Sequence, residues 1–550
     1  MDVDAVVVGS GFGGAAAACR LAEAGRSVCV LERGKAYPPG SFPRRPAAMA
    51  ASFWDPSEGL QGLFDIWSFR GLEAVVASGL GGGSLIYANV LLRKDERWFV
   101  RETRLGGDHE YWPVSRADLE PHYDAAERML DATPYPFDRP PYDATAKTRA
   151  YAGAAQRLGL DWFRPNLAVT FSPAGVTLGE PFGDPADNLH GRRRATCTLC
   201  GECDVGCNIG AKNTLDYTYL STAARAGADI RTRCEVRRLT AHPDGGYTVS
   251  FVRHAPEHEG APTRTGRLPT EDVRAKVVVL AAGALGSTYL LLRNRSALPA
   301  LSPRLGSRFS GNGDLLAFVT GGPRSFDPSR GPVITSTVRV PDAVDGGNGR
   351  GFYVQDGGYP AFVDWVLEGA NVVGPLRRIA RFAAARVRSR LTGEPKSTVG
   401  AEIGALLGDG RLSAGTLPLL GMGRDVPDGT MRLRSGYLDV DWTTETSAAY
   451  FRRVRAVMRA VAGTLDARLQ ENVSSYLRRV VTVHPLGGCP MGRDAREGVV
   501  DDHGEVFGHP GLFVADGAVM PGPVGPNPSL TIAALAERFS ARMIDRCGHG

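Results

Sequence analysis

Apolar runs recur along the chain with two periods, punctuated by glycine turns. Ala5 to Val8 is a continuous β-branched apolar run, which predicts a strand buried on both faces. Ala15 to Ala24 is rich in helix formers and stops at Gly25, a natural residue for the position after a helix end. Val28 to Leu31 then predicts a second parallel strand. The same order of apolar strand, small-residue turn and apolar helix returns in "KVVVLAAGALGSTYLLLRN", Lys276 to Asn294. It returns again near the C-terminus, where "GLFVADGAVMP" precedes "NPSLTIAALAERFSARMI" and Pro528 marks a helix start. Parallel-sheet elements thus lie at both ends and in the middle of the chain. The stretches between them read as insertions forming a second lobe.

The fold expected is α/β, α+β overall. A Rossmann-type nucleotide-binding part is assembled from residues 1–105, 191–310 and 480–550. A substrate lobe and cap on a mixed or antiparallel sheet with helices comes from 106–190 and 311–479. One insertion segment, Pro375 to Leu391, places Leu376, Ile379, Ala380, Ala383, Val387 and Leu391 on one helical face, with arginines on the others. Such a helix either packs its apolar stripe under a solvated basic face or lies on a lipid surface, a peripheral membrane contact.

Composition narrows the class. At 550 residues with 43% hydrophobic and 22% charged residues, the chain reads as a globular protein of two or more domains, or one two-lobed enzyme. A net charge of +5 spread over this length lacks the concentrated basic stripe that nucleic acid requires, so no nucleic-acid partner is expected. Met1 and Asp2 lead directly into a strand, and no run approaches the apolar length of a membrane helix. The expected location is the cytoplasm, where clustered cysteines serve more often as ligands or redox groups than as disulfides.

The turn Gly9-Ser-Gly11-Phe-Gly13-Gly14 follows a strand and opens a helix, the context that gives a glycine pattern meaning. Gly9 allows the tight turn, Gly11 lets backbone approach a pyrophosphate, and Gly14 lets helix and strand pack closely. The helix N-terminus then offers free N–H groups to phosphate. Glu32 ends the next strand, placed to accept hydrogen bonds from a ribose diol and to disfavour a 2′-phosphate.

The glycine turn does not choose between NAD and FAD. Four distant segments do: "SGLGGGSLIYANVLLR" from Ser78, "VVVLAAGALGST", "VHPLGGCPMG" and "FVADGAVMPGPVGPNPSLTIAALAER". Their order, spacing and wording together resemble the glucose–methanol–choline oxidoreductase family, in its bacterial cholesterol-oxidase-like branch. The resemblance implies FAD, with pyrophosphate at Gly9, Gly11, Phe12 and Gly14 and ribose at Glu32. It further places Gly82, Gly83 and Ser84 close to the flavin, Val236 over the adenine, and Asp516 and Gly517 at the pyrophosphate and ribityl chain. Tyr87 departs from the pattern, standing where many members carry an Asn beside the flavin.

The same resemblance implies that an alcohol C–H delivers hydride to flavin N5 while the hydroxyl proton leaves. His484, in "HPLGG", suits the proton-handling role because imidazole titrates near neutrality. Asn527, in "GPNPSLT", would hydrogen-bond the substrate oxygen beside it. Some relatives add a carboxylate base; nothing in the spacing of Glu402 selects it. The expected reaction is FAD-dependent oxidation of a secondary hydroxyl on a bulky apolar substrate, a sterol or terpenoid, with O2, an acceptor protein or a quinone taking the electrons. Two other readings stand beside it: lyase, isomerase or photodecarboxylase chemistry on the same scaffold, and a flavin and iron–sulfur electron-transfer protein.

Cys197, Cys200, Cys203 and Cys207 follow the C-x2-C-x2-C-x3-C spacing of a bacterial ferredoxin loop, with Asn208 in place of the usual following proline. Structural zinc more often uses two separated pairs. Resemblance to FAD-dependent sugar dehydrogenases implies cluster ligands at Cys197, Cys203 and Cys207, whereas cholesterol-oxidase-like relatives are described with FAD alone. An iron–sulfur cluster and a metal-free thiol loop both remain open at this stage. Cys19, Cys29, Cys234, Cys489 and Cys547 read as buried small residues.

Overall fold

The computed structural model describes residues 1–44, 48–49, 51–102, 109–173, 177–359, 415–471 and 480–548. The apolar run at the N-terminus forms the strand Asp2–Val8, whose last four residues are buried. It pairs in parallel with Val28–Leu31 on one side and Thr270–Leu280 on the other, setting Val6 opposite Cys29 and Val278. Asp229–Arg231 adds a parallel edge beyond Val28–Leu31, and Leu512–Val514 pairs in parallel with the end of Thr270–Leu280. Tyr247–Arg253 and Cys234–Ala241 complete this seven-stranded sheet as antiparallel strands. Burial on both faces explains why its central strands are apolar without alternation.

The first helix spans Phe12–Glu23, three residues earlier than its composition suggests. Gly13 and Gly14 are poor helix formers, yet a Cβ on Gly13 would lie 1.4 Å from the Ala515 carbonyl oxygen, and one on Gly14 2.1 Å from that of Gly9. Close approach therefore overrides propensity at the helix start. This helix packs against Ser529–Gly548, so the two ends of the chain share one core.

A second core forms on a six-stranded, wholly antiparallel sheet. Its order is Asp161–Phe163, Thr337–Val340, Phe352–Asp356, Leu417–Gly423, Leu315–Thr320 and Arg468–Glu471. The helices Ala146–Arg157 and Ala448–Thr464 pack on it. Tyr450, Phe451, Val454, Met458 and Val461 are buried on one stripe of the second helix, as the 3.6-residue period requires.

Short strands join the two cores. Val480–Thr482 pairs in parallel with Leu72–Ala77, and Leu486–Gly488 pairs with Ser307–Ser310. Among the described residues no helix is long and apolar enough to cross a membrane. The amphipathic segment 375–391 and Glu402 lie outside the described residues.

Candidate active site

The glycine turn after Asp2–Val8 has the shape a dinucleotide requires. Gly9 takes a φ of +95°, and a Cβ there would meet the Ala281 carbonyl oxygen at 2.4 Å. Gly11 is different: nothing lies within 4 Å of the position its Cβ would take. That open space, at the N-terminus of Phe12–Glu23, is the cradle into which a pyrophosphate fits. The turn Gly82–Leu85 closes on the same point, since a Cβ on Gly82 would lie 2.7 Å from the Gly11 Cα. Ser84 Oγ donates to the Gly81 carbonyl and accepts from the Leu215 N–H, which fixes that turn.

Glu32 is buried at the end of its strand. One oxygen accepts from the Ser10 N–H and Oγ, and the other accepts from the Gly34 N–H at 2.8 Å. Three donors on roughly four lone-pair sites leave room for one more, the number a ribose hydroxyl needs. Val236 lies in Cys234–Ala241, only 8% exposed.

Asp516 caps the turn Gly517–Val519 by accepting from the Ala518 N–H. Its second oxygen accepts from the Gly283 N–H and the Ser287 hydroxyl, tying two strand-to-helix turns together. Burial pushes its carboxyl up to about 6, against the lowering effect of these donors. The segment Pro485 to Met491 runs alongside: the Cys489 and Met491 N–H groups donate to the Ala518 and Val519 carbonyls, and a Cβ on Gly517 would lie 3.3 Å from the Pro485 carbonyl oxygen. His484 therefore stands at the start of a segment bound to the Asp516 turn.

The His484 ring is held by a residue that sequence reasoning missed. Its Nδ1 lies 2.8 Å from Asp314 Oδ1, while Asp314 Oδ2 accepts from the Thr482 hydroxyl and the Val483 N–H. A carboxylate accepts only, so the Nδ1 position carries the proton and Nε2 keeps its lone pair when the ring is neutral. Asn527 is also paired: its Oδ1 accepts from Gln355 Nε2 at 2.8 Å, within the second sheet.

Asn312 links the two groups. Its Oδ1 accepts from the Gly525 N–H, and its Nδ2 donates to the Pro526 carbonyl at 3.1 Å. One turn, Gly311 to Asp314, thus grips the His484 ring through Asp314 and the approach to Asn527 through Asn312. Asp425 fastens this turn from beneath, accepting from Ser310 Oγ and the Gly311 N–H. The only sequence signal for the device is the polar "GNGD" between apolar strands.

Comparison with known proteins gives the family. The N-terminal GMC oxidoreductase family model matches residues 4–311 and the C-terminal one residues 413–536. The chain belongs to the GMC oxidoreductase family. Among its relatives, a cholesterol oxidase from Mycobacterium tuberculosis is 31% identical over 98% of this chain and 91% of its own length. A cholesterol oxidase from Acinetobacter baumannii is 29% identical, covering 98% and 93%. A paromamine 6'-oxidase from Streptomyces fradiae is 27% identical, covering 97% and 90%. The crystal structure of pyridoxine 4-oxidase from Mesorbium loti shares the fold, with a TM-score of 0.58 at 18% identity over 98% of each chain. GMC oxidoreductases are FAD flavoproteins with a Rossmann-type N-terminal domain, and the relatives of this chain are oxidases and dehydrogenases acting on alcohol groups. This GMC chain is accordingly an oxidoreductase enzyme of that kind.

None of the four loop cysteines forms a disulfide, nor do the other five. Cys197, Cys200, Cys203 and Cys207 line one cavity beside Lys212, close to the carbonyls of Leu85 and Tyr87. Tyr87 is half-buried and meets Phe12 edge to face, ring centroids 5.3 Å apart.

Proposed function

We propose that the protein oxidises a secondary hydroxyl on a bulky apolar skeleton, such as a sterol or terpenoid, to the carbonyl. The observation that carries this reading is the His484 ring, anchored at Nδ1 by Asp314 with Nε2 left to accept a proton. Bound FAD supplies the hydride acceptor. Gly9, Gly11, Phe12, Gly14 and the Gly82 to Ser84 turn would hold it, with Glu32, Val236, Asp516 and Gly517 along its length. His484 Nε2 takes the hydroxyl proton, and Asp314 stabilises the resulting imidazolium. Asn527, paired with Gln355 through Oδ1 and, at 3.5 Å, through Nδ2, would turn its second amide N–H toward the substrate oxygen and orient it.

The substrate lobe in this reading comprises 106–190 and 311–479, the segments that supply all six strands of the antiparallel sheet. The remainder, 1–105, 191–310 and 480–550, supplies the seven-stranded sheet. The bulky substrate follows from the similarity to proteins named cholesterol oxidases. Nine unpaired cysteines fit action in the cytoplasm. The electrons leave to O2 or, with an iron–sulfur cluster in the thiol loop, to an acceptor protein or quinone.

The test is anaerobic mixing of the yellow holoprotein with sterol and terpenoid alcohols. Bleaching of the flavin, slowed by about 10²-fold or more in His484→Ala, is the expected result. Failure of every such alcohol to reduce wild-type flavin would overturn the substrate class.

A further inference from the structure

The thiol loop is built for more than packing. All four cysteines line one cavity, which opens to solvent and has Cys200 exposed on its wall. No three of them lie within 4.8 Å of one another. A single tetrahedral zinc ion would draw its sulfurs to about 3.8 Å apart, given a Zn–S bond of about 2.3 Å. Thiolates bound to different irons of one cluster are held further apart; in the ferredoxin run the first three cysteines share one cluster and the following proline accompanies a fourth that serves another, whereas here Asn208 replaces that proline and all four cysteines line one cavity.

A second observation points to an anionic occupant. Lys212 lines the same cavity at 1% exposure, and its Nζ donates to the carbonyls of Leu85, Tyr87 and Cys203. Cys203 and Cys207 act on this ammonium more strongly than the carboxyls of Asp204 and Asp216 do, and a buried ammonium needs such counter-charge. The loop backbone also gives one thiol a donor. Leu199 and Gly201 take left-handed φ values of 63° and 69°, and the Leu199 N–H donates to Cys197 Sγ at 3.4 Å. Asn208, where ferredoxins place proline, bonds in both directions with the backbone of Phe42 and so clamps the loop.

We infer that Cys197, Cys200, Cys203 and Cys207 ligate an iron–sulfur cluster whose negative charge is balanced by Lys212. Lys212 also grips the carbonyl of Leu85, which ends the Gly82–Leu85 turn, and that of Tyr87 just after it, so the cluster neighbours the FAD cradle. The consequence for electron flow rests on the proposed alcohol oxidation. Each alcohol loses two electrons and two protons; the protons reach solvent, and the electrons pass singly through the cluster to two equivalents of a one-electron acceptor protein.

The experiment is iron, acid-labile sulfide and FAD analysis of anaerobically purified, full-length protein, with electron paramagnetic resonance after dithionite reduction. Roughly four iron and four sulfide per FAD are expected, with a resonance lost in Cys203→Ser and in the surface-lying Cys200→Ser while the flavin spectrum persists. Lys212→Met should keep the cluster and shift its reduction potential to a more negative value. Zinc in place of iron would overturn the inference. So would four alkylatable thiols and no iron after anaerobic reconstitution with iron and sulfide. A cluster-bearing protein whose flavin no alcohol reduces would leave the cluster standing and sink the alcohol reading.

Discussion

Asp314 Oδ1 stands 2.8 Å from His484 Nδ1 across 170 residues of sequence, and this contact fixes which ring nitrogen is left for the proposed proton transfer. Asp314 is a positioning residue. Asp314→Asn should lower the rate of flavin reduction by about 10- to 100-fold, the usual cost of losing an outer partner of a functional imidazole. The variant should keep its FAD content and melting temperature while kcat falls. A loss of kcat that only parallels a loss of FAD and thermal stability would reduce Asp314 to a purely structural part.

Gln355 and Asn527 form a pair buried between the two cores. Gln355→Leu leaves the Asn527 carbonyl oxygen without a donor, at a cost of about 1–3 kcal/mol. The amide is then free to flip, so KM for the alcohol should rise along with a fall in kcat. Steady-state kinetics on the variant checks this, and Gln355→Glu, which cannot donate when ionised, should resemble the leucine variant above its own titration.

Two glycines three and five residues after Val8 should respond in opposite ways. A methyl at Gly11 meets nothing in the protein, so Gly11→Ala should fold with wild-type thermal stability yet lose FAD on gel filtration. A methyl at Gly13 meets the Ala515 carbonyl, so Gly13→Ala should fail to fold or melt far lower. FAD retention in Gly11→Ala equal to wild type would remove the pyrophosphate from this turn.

Burial pushes the Asp425 carboxyl up to about 7, with desolvation outweighing its hydrogen bonds to Ser310 and Gly311. The folded protein therefore holds a proton there that the unfolded chain releases near pH 4, and stability falls as pH rises from about 4 to about 7. The loss is at most ~1.4 kcal/mol per pH unit. Asp425→Asn has no such proton, so its melting temperature should gain on wild type across that window and hold the gain above it. Thermal melts at pH 5 and pH 8 decide the point.

The nucleotide half of this protein was legible because its information is local. Strand, glycine turn, helix and terminal acid all fall between Asp2 and Glu32, and each is specified by period, propensity or a close backbone approach. His484 and Asn527 were legible only through family motifs. Their partners were not legible at all: Asp314 and Gln355 sit 170 and 172 residues away, on a lobe whose antiparallel strands carry no register signal in sequence. The cysteine spacing suggested metal, but the buried Lys212 that gives the cavity its charge needed the fold to bring it there.

The turn Gly311 to Asp314 also sets a rule for anyone wishing to retarget this scaffold. A chimera that imports a foreign lobe at residue 311 would discard the clasp on the imidazole together with the old specificity. A join placed after Asp314 would keep the clasp and exchange only the walls.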